Sequence, residues 1–113
     1  MNKLIFDALK TLDADVAFEE YRGKEPQYVR FFYLPQDQFS SNDDEQYTTH
    51  FVQIDIFSPG QISGYPSLKE LRNDVVSLMK QAGFRKNYEN DKYETDTKLY
   101  HKVLRFYIIK EAN

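Results

Sequence analysis

Apolar positions along this chain recur with two periods, about 3.6 and 2, and the switches between them mark the elements. Leu4, Ile5, Ala8, Leu9 and Leu12 fall at helical spacing behind Asn2, whose side chain suits a helix cap. They predict a first helix ending near Leu12, where Asp13-Ala14-Asp15 favours a turn. A short strand is expected over residues 16–21, with Gly23-Lys24-Glu25-Pro26 as a hairpin connection to a second strand over 28–34. Pro35 stops that strand, because it has no N–H to give to a ladder. Both faces of 28–34 are apolar or aromatic apart from Arg30, which predicts a central strand covered by helices on one side and partly covered on the other.

Residues 36–46 are polar and acidic, too poor in apolar side chains to fold on themselves, and are expected to form a loop. Phe39 is their one large apolar residue. Strict alternation then predicts a strand over 47–57, with Val52, Ile54 and Ile56 on one face and Gln53 and Asp55 on the other, beside Phe51 and Phe57. Ser58-Pro59-Gly60 ends it. The second helix has the clearest signature: Ser67-Leu68-Lys69-Glu70 is a capping box, and Leu68, Leu71, Val75, Leu78, Met79 and Ala82 form one stripe. Arg72, Asn73, Lys80 and Gln81 fall outside the stripe, and Gly83 stands where a left-handed C-terminal cap belongs. Two strands over 84–93 and 98–109 follow, joined as a hairpin around Glu94-Thr95-Asp96-Thr97. The pattern predicts an α+β fold: a two-layer sandwich with a mainly antiparallel sheet of four to five strands and two helices on one face.

A chain of 113 residues is the size of one domain, expected to span residues 1–113, with enough length for a core of its own. It has no cysteine, which suits a reducing compartment such as a cytoplasm. Lys3, Asp7 and Lys10 interrupt any apolar run at the N-terminus, and no stretch has the length of a membrane span, so neither a signal peptide nor a membrane partner is expected. Nine Phe and nine Tyr favour a sheet and supply its core. Net charge is only −3 but unevenly spread. Between Phe31 and Leu68 there is no basic residue, and Asp37, Asp43, Asp44, Glu45 and Asp55 stand there alone; from Lys69 onward ten basic residues face seven acidic ones.

Motifs for catalysis are absent: there is no nucleophile-elbow sequence, no phosphate-binding glycine loop and no thiol. The two histidines, His50 and His101, fall in strands where they could face each other and share a metal or a proton; half-exposed strand positions are the simpler reading. Asp91, Glu94 and Asp96 lack the glycine and spacing of a calcium loop and read as a solvated hairpin tip. The aromatic strands lack the glycine-bearing signature of an RNA-recognition sheet, and the acidic middle opposes phosphate. No enzymatic activity, no metal, no cofactor and no specific nucleic-acid binding are expected.

The segments also carry a resemblance. Met1-Asn2-Lys3-Leu4-Ile5-Phe6-Asp7-Ala8-Leu9 at the start resembles small tail-completion proteins of long-tailed phages and prophages, the tail terminators. So do the strand ending Phe51-Val52-Gln53-Ile54-Asp55-Ile56-Phe57-Ser58, the helix closing on Ala82-Gly83-Phe84, and the last stretch from Tyr93-Glu94-Thr95-Asp96-Thr97 to Leu104-Arg105-Phe106. That resemblance implies a two-layer α+β subunit without catalytic residues that forms a ring, usually a hexamer. The ring caps the tail tube and then meets the head-tail connector. It implies self-association on assembly with a monomer possible in solution, the tail-tube and connector proteins as partners, and a path from host cytoplasm to virion tail.

A ring needs two different patches of one subunit to meet, and an acidic middle with a basic final third can supply them. Phe39, Asp43, Asp44 and Glu45 are the expected interface residues, lining the lumen or a docking rim. The alternative is a small cytosolic binding module, of regulatory or immunity type, that uses its aromatic strand faces.

Overall fold

A computed structural model gives the fold and describes residues 1–35 and 47–111. The elements are α1 (Asn2–Leu9), β1 (Asp15–Phe18), β2 (Tyr28–Leu34), β3 (Tyr47–Ser58), α2 (Leu68–Gln81), β4 (Arg85–Glu94) and β5 (Leu99–Glu111). The five strands form one sheet in the order β1-β2-β3-β5-β4, parallel only between β1 and β2. Both helices cover one face of it. This is the α+β sandwich expected from the periodicity.

The core lies between the layers. Ile5 and Leu9 of α1 and Leu71, Val75, Val76 and Met79 of α2 meet Val29 and Phe31 of β2, Val52, Ile54 and Ile56 of β3, and Leu104, Phe106 and Ile108 of β5. Alternation along each strand sends the residues between these to the opposite, outer face. Phe31 anchors the α1 end, with ring centroids 5.1 Å from Phe6 and 5.3 Å from Phe18.

α2 begins as its sequence dictates. The Ser67 hydroxyl accepts from the Glu70 N–H at 3.1 Å, and the Glu70 carboxylate accepts from the Ser67 N–H at 3.3 Å. Gly83, at φ 99°, ends it in the left-handed region that a Cβ would strain. α1 differs from expectation: Met1 is its N-cap, while the Asn2 side chain accepts instead from the Tyr33 hydroxyl. That bond ties the helix start to β2 across the layers.

The expected hairpin between the first two strands is also corrected. β1 stops at Phe18, Glu19 turns at φ 65°, and residues 19–27 return so that Asp15 pairs with Tyr28 in parallel. A crossover usually needs a dozen or more residues; here β1 is only four residues long, so nine suffice for the return. Tyr21 holds that loop, stacking on Tyr28 at 4.1 Å, donating to Asp15 and accepting from the Glu25 N–H. Gly23 has no Cβ because Tyr21 Oη would lie 2.2 Å from it.

Candidate functional site

Among the described residues no helix lies over the outer face of the sheet, yet its centre is closed. Asp55 is fully buried there. Its Oδ2 accepts from Arg30 Nε at 3.0 Å, and its Oδ1 accepts from Gln53 Nε2 at 2.9 Å and bonds His101 Nε2 at 2.8 Å. Arg105 Nε extends the network by donating to Gln53 Oε1. Rings seal it: Tyr28, Phe57 and His101 stack across β2, β3 and β5 at 5.1 and 4.2 Å, with the Arg30 guanidinium 5.1 Å over Phe57. His101 Nδ1 lies 3.3 Å from Glu94 Oε2 without hydrogen-bond geometry. The sequence placed Gln53 and Asp55 on this face correctly; their burial follows from the neighbours that cover them.

The two histidines do not meet. His50 pairs with Ile108 and His101 with Phe57, seven positions apart along β3, or about 23 Å at strand rise. Asp91 bonds Lys102 and Glu94 faces His101, while Asp96 lies in the turn between the hairpin arms. Among the described residues no three His, Cys, Asp or Glu side chains are grouped to hold a metal ion.

A groove opens on the helix side, at the end of the sheet where β3 finishes. Its volume is about 730 Å³, and Leu68, Lys69, Arg72, Tyr93, Tyr100 and Lys102 are among the residues lining it. Its origin is a mismatch of lengths. The 14-residue α2 is about 21 Å long, whereas 13-residue β5 runs about 43 Å, so the β4–β5 hairpin outreaches the helix. Tyr93 and Tyr100 therefore lie beyond the cover of α2: they stay 50% and 46% exposed and pack edge to face at 4.8 Å.

Arg72, expected in solvent, instead forms the groove's floor. It donates Nε and Nη2 to the two carboxylate oxygens of Glu89 at 3.0 and 2.7 Å. Lys86 and Lys102 join the same carboxylate. The Arg72 bond above all, with Lys86 and Lys102, outweighs partial burial and holds the Glu89 carboxyl far below its ordinary 4.5. Because the folded value is the lower one, this cluster's stability is complete above about pH 4.5 and drains away as pH falls beneath it. Glu89→Gln should cost about 2 kcal/mol at pH 7. In urea unfolding, the gap between wild type and variant should narrow steadily below about pH 4.5.

Two pairs of exposed apolar residues sit at opposite ends of a molecule 51 Å long, while Phe6 and Tyr88, 38% and 41% exposed, lie between them. Tyr93 and Tyr100 mark one end; Tyr47 and Ile109, 56% and 58% exposed, mark the other, on the outer face. Sequence reasoning missed the tyrosine patch, although a helix of 14 residues beside a strand of 13 is a legible sign that strand surface will be left bare. The expected interface residues Phe39, Asp43, Asp44 and Glu45 lie outside the described residues. No helix among those described is long and apolar enough to cross a membrane. No protein-family model matches the chain, and no curated protein matches it either.

Proposed function

We propose that this protein is a structural subunit of a phage or prophage tail, which forms a head-to-tail ring that caps the tail tube and joins it to the head connector. The observation that supports this reading is the pair of unlike apolar patches at opposite ends of the molecule. A ring is built from heterologous contacts, in which each copy offers two different surfaces; a twofold dimer uses one surface twice. The resemblance of the chain's opening, central strand and ending to tail terminators supplies the biological setting. Such a subunit works by burying surface against its own copies, the tube and the connector, without making or breaking bonds.

Deleting the coding sequence from its prophage and imaging the induced particles tests the reading. Overlong or headless tubes are expected. Normal, infectious particles would refute it and favour the monomeric binding module.

A further inference from the structure

The two edges of the sheet are unlike. Among the described residues no strand lies beyond β1 on one side or beyond β4 on the other. An edge strand presents a row of N–H and C=O groups that a further strand can take up. Exposed acids bracket β1, with Asp13 before it and Glu19 after it. Exposed cations stand near the two ends of β4, Arg85 and Lys92. None of these four side chains makes a hydrogen bond or ion pair among the described residues.

The acids and the cations are equally spaced. Asp13 and Glu19 are six positions apart. Arg85 and Lys92 are one further apart in sequence, but the bulge between Lys86 and Tyr88 absorbs the extra residue. They therefore oppose Tyr107 and His101, six positions apart on β5, or about 20 Å at strand rise. Strand directions agree as well. β1 runs with β2 and β5, and β4 runs against them. Between neighbouring copies in the same orientation, β4 of one then meets β1 of the next antiparallel. The register that sets Lys92 opposite Asp13 also sets Asn90 opposite Asp15, Tyr88 opposite Ala17 and Arg85 opposite Glu19. Either edge paired with itself over the same length would oppose like charges, Asp13 to Glu19 or Lys92 to Arg85, which destabilises such a pair.

We propose that β4 of one copy adds to β1 of a second copy in this antiparallel register, so that one sheet continues from subunit to subunit. The inference rests on the ring reading and adds a pair of unlike edges to its unlike ends. Backbone hydrogen bonds hold the strands together, and the charges select the partner edge and the register. A ladder as short as β1 is weak singly, and closing the ring makes the last contact intramolecular.

The chain has no cysteine, so introduced thiols report this contact alone. Directly opposite residues of antiparallel strands have Cα atoms roughly 4.5–5.5 Å apart, within disulfide reach. On mild oxidation, the chain carrying both Ala17→Cys and Tyr88→Cys should give a ladder of linked copies on a non-reducing gel. Asp15→Cys with Asn90→Cys, the next pair on the same face, should link as well. Each single substitution should yield little dimer. Adding Arg85→Glu and Lys92→Glu should cut the linked yield roughly tenfold or more, through like charges placed opposite. The melting temperature should not change, because neither side chain has a partner to lose. Adding Asp13→Lys and Glu19→Lys to that same chain should restore linking, since the edges are then complementary again. No ladder from either double-cysteine chain, equal dimer from the single variants, or linking indifferent to charge reversal would overturn the inference. Those results beside overlong tubes from the deletion would leave the tail reading intact; charge-dependent linking beside normal particles would do the reverse.

Discussion

Asp55→Ala should cost about 3–5 kcal/mol, the effect of removing one partner from a buried ion pair. The carboxylate is fully buried and bonded by Arg30, Gln53 and His101 at once, so its loss leaves buried Gln53 and His101 and partly buried Arg30 without their shared partner. At roughly 4 °C per kcal/mol for a domain of this size, the melting temperature should fall by roughly 12–20 °C. The burial, and not the charge itself, sets that cost. Replacing Arg30, Asp55 and His101 together by Met, Leu and Phe should therefore recover most of the lost stability. A single variant within 1 kcal/mol of wild type would mean that water reaches this centre freely, contrary to the closed face described above.

Phe31→Ala should be as damaging, for a different reason. Phe31 is wholly buried where α1, β1 and β2 meet, against Phe6, Phe18 and Tyr33. Removing a buried ring costs about 3–5 kcal/mol through lost transfer energy and the cavity left behind. β1 is a four-residue edge strand paired only with β2, and its Phe18 packs on the Phe31 ring that the variant removes, so residues 15–18 should be freed first. Amide exchange should show protection lost across β1 before β3 or β5 is affected. Uniform loss of protection would show that the sheet opens as one unit.

Most of this fold is legible in the sequence, and what is legible is local. The capping box at Ser67 and the apolar stripe behind it give α2 its start, length and buried face. Alternation gives β3 its two faces. The parallel pairing of β1 escapes such reading because Gly23-Lys24-Glu25-Pro26 has the composition of a hairpin turn; what redirects the chain is the Tyr21 ring lying on Tyr28, a contact set by tertiary packing. Arg72 is off the apolar stripe and reads as solvated, but its partner Glu89 belongs to a strand 17 residues away. His50 and His101 share a sheet and not a register, and only the pairing tells them apart.

The candidate site follows the same division. Aromatic residues in 93 and 100 are visible in the sequence, but their exposure comes from α2 ending its cover before the hairpin does. The polar centre at Asp55 closes the middle of the outer face, with Tyr93 and Tyr100 exposed at one end of the sheet and Tyr47 and Ile109 at the other. A rigid body with unlike ends is what repeated head-to-tail contact requires.

Whether this protein caps a tail tube can be seen by electron microscopy of purified tail tubes incubated with gold-labelled protein. Gold is expected at one end of each tube, and capped tubes should no longer lengthen when more tube protein is added. Tubes left bare, decorated along their sides, or still growing past the label would contradict this role.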